Sequence, residues 1–524
     1  MAGGYLNLIS GGPENIIMYG NPQKSLWTST YKQISNFGLQ NFRLDYEGLR
    51  QLQTTSDTLY KFHIKAYAEL LSTMYLTIQL PDIFSPLYVD SQDVNHPYEF
   101  RWIKNLGAML IRSVRITIGG SIIQEISGND IVALANRDLN DSQKAKWDAM
   151  TGNVPELYDP AYYRGGYYPN AIYQDTACQG VEPSIRGRQL RIPIPTWWCQ
   201  NASQALPLVC IHNNEIYADI TLRPLRDLYQ IRNSLGTLVA PDWSNTLHHI
   251  NQFLYEPTID GVVPSTSSSW FENLHLSCTY CFLSPAESIS FARLPQTYLI
   301  RELHDTWFRG ITSSERAWLQ NSSGLVIDWM FLFQRSDVNE RNEWSNYTNW
   351  KYDYIPSNIT PTDLVDEVGD KIYQSGPFAF ENVKDILLTL GILFDGTIRE
   401  EIRSANIYKY EQQFLACPGQ GSASLSGLYA YNCCLNTSPY IVQPTGAINV
   451  SKYSKIEVAF TTIEPPLNPV PHEDVICDLI TNSQLGVSKQ KSDMYDFTYD
   501  LLVIEERFNT ITFRGGNAQL MNIR

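Results

Sequence analysis

Few side chains in this 524-residue sequence stand where chemistry would need them. Cys278-Thr279-Tyr280-Cys281 has the spacing of half a zinc site or of a redox pair. It falls inside the run Leu274 to Leu283, which reads as a strand, and on a strand a spacing of three turns the two thiols to opposite faces. They can share neither a metal nor a disulfide there, and no second Cys-x-x-Cys completes a zinc site. Cys433 and Cys434, read as neighbours on a strand, face apart for the same reason. His304 with Asp305, and His212 with Glu215, are conceivable acid/base pairs, but no nucleophile or metal ligand stands near either in sequence. Trp197-Trp198 could stack on a sugar, although on alternating strand positions one indole fills the core and the other packs under a loop or at an interface. The phosphate-loop, His-Glu-x-x-His and Gly-x-Ser-x-Gly patterns do not occur. The expectation is a protein with no catalytic residue, no cofactor site and no metal site, hence not an enzyme.

The elements that would have to position any site are strands. Hydrophobic residues make up 43% of the chain and charged residues 18%, which excludes general disorder. Thirty-two Tyr, 20 Phe and 12 Trp beside 31 Gly and 28 Pro favour pleated surfaces and turns over helices. A net charge of −15 argues against a surface that neutralises phosphates, so no direct contact with nucleic acid is expected. The first ten residues have neither a basic flank nor an apolar run, and residue 2 is Ala, so neither a secretory signal nor N-myristoylation is expected. Nine cysteines without a targeting segment fit reduced thiols and synthesis in a reducing cytosol. The Asn-x-Ser/Thr sites at Asn140, Asn201, Asn321, Asn346, Asn358, Asn436 and Asn449 then reflect composition rather than glycosylation.

Period-two alternation places strands at Phe62–Ala66, Met74–Leu80, Val114–Ile118, Ile216–Leu222 and Ile456–Phe460. Trp329-Met330-Phe331-Leu332-Phe333 is apolar at every position and reads as a strand covered on both faces. One helix is expected from a cap at Asn129 or Asp130 to about Met150. The most informative feature is an internal repeat. At a constant offset of 276 (396 − 120), Ile116, Gly120, Ile122, Glu125 and Ile126 meet Ile392, Gly396, Ile398, Glu401 and Ile402. Both segments read as hairpins, turning at Gly119-Gly120 and Asp395-Gly396, pairs suited to positive φ. A second correspondence sets Ala205-Leu206-Pro207 and the strand from Ile216 against Gln443-Pro444-Thr445 and the strand from Ile456. The first copy is longer by about 36 residues (276 − 240), assigned to a surface loop at about Pro155 to Pro183. A duplicated all-β unit follows, with residues 1–26 as an arm, 27–285 and 290–524 as the two units, and a short helical link after Ser284-Pro285.

Several segments resemble one family, the double jelly-roll major capsid proteins of nucleocytoplasmic large DNA viruses. They are Gly20-Asn21-Pro22-Gln23 with Trp27, Tyr31, Asn36 and Phe37; Ile192-Pro193-Ile194-Pro195-Thr196-Trp197-Trp198-Cys199 followed by Ala205-Leu206-Pro207-Leu208; Tyr280-Cys281-Phe282-Leu283 with Phe291-Ala292; and Gln443-Pro444-Thr445-Gly446 with Asn449-Val450-Ser451-Lys452 and Tyr499 to Ile504. Three departures are Ser25-Leu26-Trp27 in place of Thr-Phe-Phe, Asn213 where the family often has His, and an end richer in charge (Glu505, Glu506, Arg507) than the family's Gly-rich one. The resemblance implies two tandem eight-stranded jelly-roll barrels with long loops and a few short helices. It further implies homotrimers of pseudo-hexagonal outline that tile an icosahedral shell, with the chain located in the virion. Its partners would be copies of itself, neighbouring capsomers, and minor capsid and penton proteins. The arm would lie on the inner side, near the viral membrane, and the loops near 139–185, 225–270, 335–380 and 463–498 would form tower tops and subunit contacts. The competing expectation is a two-domain jelly-roll glycan-binding protein or glycoside hydrolase. It requires an exposed aromatic platform or a cleft with paired carboxylates about 5–10 Å apart.

Overall fold

Two hairpins related by the offset of 276 set the frame. Gly119 and Gly120 have φ of 58° and 82°, and Asp395 and Gly396 have φ of 49° and 78°. Both turn positions of each hairpin are therefore left-handed, the type I′ geometry that matches the twist of the flanking strands. The computed structural model describes residues 3–521 apart from 49, 86, 90–94, 175–178, 233–237, 258–269, 271, 351, 355–363, 366–370, 373–382, 466–472, 478–483 and 490–496. The loops expected near 225–270, 335–380 and 463–498 lie partly outside the described residues, as does Asn358.

Sixteen strands carry the duplication. In the first half they are β1 (Phe37–Leu44), β2 (Thr58–His63), β3 (Leu70–Gln79), β4 (Ile111–Ile118), β5 (Ser121–Ser127), β6 (Gln189–Pro193), β7 (Ile216–Leu222) and β8 (His275–Leu283). In the second they are β9 (Gln296–Ile311), β10 (Glu315–Trp318), β11 (Leu325–Arg335), β12 (Leu387–Phe394), β13 (Thr397–Ser404), β14 (Leu428–Asn432), β15 (Ile456–Thr462) and β16 (Tyr499–Arg514). The first half forms sheets ordered β1-β8-β3-β6 and β2-β7-β4-β5; the second forms β9-β16-β11-β14 and β10-β15-β12-β13. Every strand has its counterpart eight places on. This antiparallel order in two facing sheets is the jelly roll, twice over. The sheets of each roll stay separate, as in a sandwich, with no described ladder closing them into a barrel.

The correspondence extends to register. Ile216 stands opposite Ile118, and Ile456 opposite Phe394. Where β3 pairs with β8, Ser72 is an extra residue between the pairs Leu71/Tyr280 and Thr73/Thr279. Where β11 pairs with β16, Ile327 is the extra residue between Val326/Arg507 and Asp328/Glu506. A bulge retained in both copies re-aims the same positions in each, so Thr73 and Thr279 correspond to Asp328 and Glu506. One correspondence shifts. The counterpart of Leu206–Pro207, which pairs with β3, is Ile448–Asn449, which pairs with β11, and not Gln443-Pro444-Thr445. A 3-10 turn follows each short pair, at Leu208–Cys210 and Val450–Lys452.

The expected single helix is two. α1 (Gly128–Asp138) starts from Ser127, with Asp130 completing its capping box, and α2 (Asp141–Thr151) starts afresh from Asn140. Ser127 is the better cap because its own backbone is extended while its Oγ accepts from Asp130 N–H at 3.2 Å. The stretch from Pro155 is less of a surface loop than its Tyr, Gly and Pro content implies. Leu157 and Ala161 are fully buried, Asp159 pairs with Arg101 at 3.1 Å, and Tyr168 Oη donates to Phe100 O at 2.8 Å. Between the rolls, Pro285–Arg293 is helical with Pro285 at its first position, where a missing N–H costs nothing.

Residues 1–37 form a unit of their own, with short helical turns at Tyr5–Ile9 and Ile16–Tyr19 and exposed Leu8, Ile17 and Trp27. In the remainder, alternation sends one side of each strand inward. Tyr60 and Phe62, Val114 and Ile116, and Ala218 and Ile220 fill the first core, and Trp329, Phe331, Leu501 and Val503 fill the second. The apolar run on β11 needs a cover on its other side as well. Met330, Leu332, Leu502 and Ile504 are buried there in the cluster that includes the first roll's core. Each such side chain stabilises the packed state by about 1.5–3 kcal/mol.

Candidate functional site, the seam between the rolls

The outer face of β9-β16-β11-β14 receives α1, and the contact turns on buried charge. Arg137, in the last turn of α1, is fully buried. Its Nη1 donates to Asp328 Oδ2 at 2.5 Å and lies 2.8 Å from Glu506 Oε2, while Nε and Nη2 grip Asp138 at 3.0 and 2.7 Å. Arg301 reaches Glu506 Oε1 at 3.3 Å and donates to Thr437 O at 2.6 Å. Thr437 Oγ1 donates to Asp138 Oδ1 at 3.0 Å, and Ser424 bonds Asn136. Gly419 comes so close to the end of α1 that a Cβ would stand 2.5 Å from the carbonyl oxygens of Asn136 and Arg137. Its N–H donates to Arg137 O at 2.8 Å, satisfying a carbonyl that the helix end leaves open.

Two guanidinium groups thus meet three carboxylates out of water. Burial lowers Arg137, but Asp138, Asp328 and Glu506 outweigh it and hold the guanidinium well above its ordinary value. Burial pushes Asp328 up to about 7 in spite of Arg137, and raises Asp138 as well. Burial also opposes ionisation of Glu506, yet Arg137 and Arg301 together hold it below its ordinary value. Such a cluster fixes the mutual position of two elements more than it stabilises them, because desolvation offsets most of the Coulomb gain.

Beside it a cleft of about 900 Å³ gathers Asp130, Glu302, His304, Asp305 and Arg507. Of the imagined His304/Asp305 pair, His304 Nε2 lies 3.6 Å from Glu302 Oε2, whereas Asp305 hydrogen-bonds Asp130. Asp130 Oδ2 also accepts from Ser127 N–H at 2.7 Å, so this carboxyl caps α1. Burial, then the neighbouring Asp305, drives Asp130 well above the usual carboxylate range. The folded chain therefore retains a proton here that the unfolded chain releases, and this part of the stability falls as pH rises above the ordinary Asp value. Asp130→Asn keeps the cap acceptor and removes the titration. Its thermal midpoint relative to the unaltered chain is expected to be more favourable at pH 8 than at pH 5; an equal difference at both pH values would contradict this reading. Two carboxyls bonded to each other leave no room for the sugar and water that glycosidase acids flank. Among the described residues no group of three or more His, Cys, Asp or Glu is placed to hold a metal.

The other candidates disperse. Trp197 and Trp198 are not on a strand but in the helical turn Trp197–Gln200. Both are buried, edge to face with ring centroids 4.4 Å apart, so neither offers a platform to a glycan. A helical turn, unlike a strand, lets adjacent indoles share one core. Cys278 packs in the first core and Cys281 in a separate cluster with Leu70 and Ala205; burial pushes both thiols up. Cys433 and Cys434 lie just past the end of β14 rather than on it, the first beside the second core and the second against Ile327 and Phe508. Glu215 accepts from Tyr217 Oη at 2.8 Å, while the loop at His212 is committed to the turn at Gly515–Gly516 through Asn213. At Asn201, Asn346, Asn436 and Asn449, the side-chain oxygen accepts the N–H two residues on, at 2.8–3.1 Å. These Asn-x-Ser/Thr sites are turn devices.

A jelly roll repeated in tandem, with buried charges at the contact between its halves, defines a fold of the double jelly-roll class. Residues 25–283 match the family profile described as the major capsid protein N-terminus. The major capsid protein of Phaeocystis pouchetii virus is 24% identical over 416 residues, covering 77% of this chain and 72% of that one. The probable capsid protein 4 of Acanthamoeba polyphaga mimivirus is 26% identical over 232 residues, covering 44% of this chain and only 40% of that longer protein. In structure, a chain of the PBCV-1 virus capsid superposes with a TM-score of 0.60 at 14% identity, over 95% of this chain and 100% of that one. The chain belongs to the double jelly-roll major capsid proteins of nucleocytoplasmic large DNA viruses. Its relatives are structural proteins and not enzymes, and the glycan reading is not favoured.

Proposed function

We propose that three copies of this chain form a homotrimeric capsomer of pseudo-hexagonal outline, and that such capsomers tile the icosahedral shell of a large DNA virus, placing the chain in the virion. The observation that carries this is the strand-for-strand duplication: two rolls per chain and three chains give six similar units around one axis. Residues 27–285 and 290–524 are the two units, and residues 1–26 the arm on the inner side of the shell. The arm's exposed apolar side chains, among them Leu8, Ile17 and Trp27, support a role in contacts with minor capsid proteins or with an inner membrane. Penton proteins and neighbouring capsomers complete the set of partners. An acidic chain with −15 net charge suits a shell that does not itself touch the genome.

Light scattering on the purified chain is expected to give three times the 59.8 kDa of one copy. A single chain across the micromolar range, under conditions that support shell assembly, would overturn the proposal.

A further inference from the structure

One guanidinium group of the first roll has no anion to pair with. In the register of β2 and β7, Leu222 stands opposite Thr58, so one step further Arg223 faces Asp57. Between β7 and β4 the pairs Thr221/Ser113 and Leu222/Ile111 leave Arg112 as an extra residue. This bulge re-aims the Arg112 side chain, and just past it Arg223 N–H donates to Leu110 O at 2.9 Å. A 3-10 turn, Leu225–Asp227, then brings Arg226 and Asp227 to the same end of the sheet, where Arg226 N–H donates to Thr54 O at 3.1 Å.

Three cations and two carboxylates meet there, and both carboxylates are taken. Arg112 Nε holds Asp57 Oδ2 at 3.0 Å, and Arg226 Nε lies 3.4 Å from Asp227 Oδ1. Arg223 is left over. Its Nε is sealed from water without a hydrogen-bond partner, and no carboxylate among the described residues comes within ion-pair distance of it. What it has is the face of Trp344, with 4.5 Å from the guanidinium carbon to the ring centroid. Burial, then the like charge of Arg112, pulls Arg223 down to about 10, and Asp227 and Asp57 do not make up the difference. Asp227 in turn feels Arg226, Arg223 and Arg112 together, so the three guanidinium groups converge. A cation held out of water in this way is costly unless an anion completes the site.

We propose that Arg223, Arg112 and Arg226 bind a small oxyanion of the phosphate class at the bulged end of β2-β7-β4. A planar guanidinium presents paired N–H groups that match two oxygens of such an ion, and a tetrahedral ion has oxygens enough for more than one fork. A single ion at one site differs from the row of phosphates in a nucleic acid, which an acidic chain repels. The place of the site gives it a consequence. Trp344 belongs to the segment after β11, and Trp344 Nε1 and Asn342 Nδ2 donate to the carbonyl oxygens of Asp227 and Arg226 at 2.9 and 2.7 Å. An ion that fixes Arg223 under Trp344 strengthens this contact between the second roll and the first.

The test uses the full chain and inorganic phosphate. Titration calorimetry is expected to show one saturable site per chain, and about 5 mM phosphate to raise the thermal midpoint above that in sodium chloride of equal ionic strength. Acetate at the same concentration is expected to do no more than chloride. Arg223→Met is expected to weaken phosphate binding about tenfold or more, the usual loss of a charge-assisted pair. In chloride alone the same variant is expected to be no less stable than the unaltered chain, because it removes a charge without a partner and keeps an apolar stem against Trp344. A purely structural stacking role predicts the reverse, a lower midpoint in chloride and unchanged phosphate binding, and that result would overturn the inference. Arg112→Gln, at a half-exposed position, is expected to fold and to weaken binding as well, which keeps the test decisive if Arg223→Met does not fold. Phosphate that binds no more tightly than acetate, or equally to the unaltered chain and to Arg112→Gln, would also overturn it.

Discussion

Arg137→Met is expected to destabilise the chain by about 3–5 kcal/mol, the usual loss when one partner of a buried charge cluster is removed and the others stay behind. Met fills most of the guanidinium's volume, so the effect isolates charge. Asp138, Asp328 and Glu506 would be left in a dry seam with Arg301 as the one cation the cluster retains. The carboxyls can relieve this only by taking up protons. The loss is therefore expected to be larger at pH 8 than at pH 5, and Arg137→Met with Asp328→Asn is expected to recover part of it. Denaturant unfolding of the four variants of this cycle at both pH values checks the account. A loss below about 1 kcal/mol that is the same at both pH values would mean that packing, not charge, joins the rolls.

Trp329→Ala is the second large effect, at about 3–5 kcal/mol. Trp329 lies on the inner side of β11, stacked near Tyr431 at 6.1 Å between centroids and tilted towards Phe394 at 6.4 Å. Its Nε1–H donates to the buried Glu505 Oε2 at 2.8 Å. Truncation opens a cavity in the second core and takes a donor from Glu505, which keeps Ser322 and Arg507 as partners. Trp329→Phe refills most of the space but not the donor, so it is expected to lose about 1–2 kcal/mol. The inner core of the second roll, where Trp329 lies, is a cluster of its own, whereas the other side of β11 and β16 joins the first roll's core. Hydrogen exchange in Trp329→Ala is therefore expected to rise in β11, β14 and β15 before it rises in β2-β7-β4-β5. Uniform loss of protection across both rolls would show that the seam couples them into one unfolding unit.

What the sequence could and could not reveal follows from the range of the interactions. The hairpins were legible because an I′ turn is a local demand on two residues, met by Gly119-Gly120 and by Asp395-Gly396. The double burial of Trp329–Phe333 was legible because an apolar residue at every position has no other use. The start of α1 was not, because Ser127 and Asn129 are equally good caps by type and only backbone geometry chooses between them, and neither was the break before α2, where extended Leu139 and Asn140 let Asn140 cap a new helix. Trp197 and Trp198 misled in the same way: a four-residue helical turn after Pro195 is too short to leave a period.

The seam was hidden for a different reason. Arg137 contacts residues 191 and more positions away, and nothing at Arg137 itself distinguishes a buried cation from a solvated one on a helix. One signal was present. Glu505-Glu506-Arg507 interrupt the otherwise apolar strand β16, and those charges are buried, Glu506 with Arg137 and Arg301, Glu505 with Trp329 and Arg507. A run of charges inside an apolar strand marks a surface that another element must complete.

In the proposed assembly each chain contributes two equivalent rolls to one closed ring of three chains. Class averages from electron micrographs of the purified protein test it most directly. Three-fold particles with a hexagonal outline and six similar densities around one axis are expected. Isolated two-lobed particles, or open chains of lobes that never close, would contradict it.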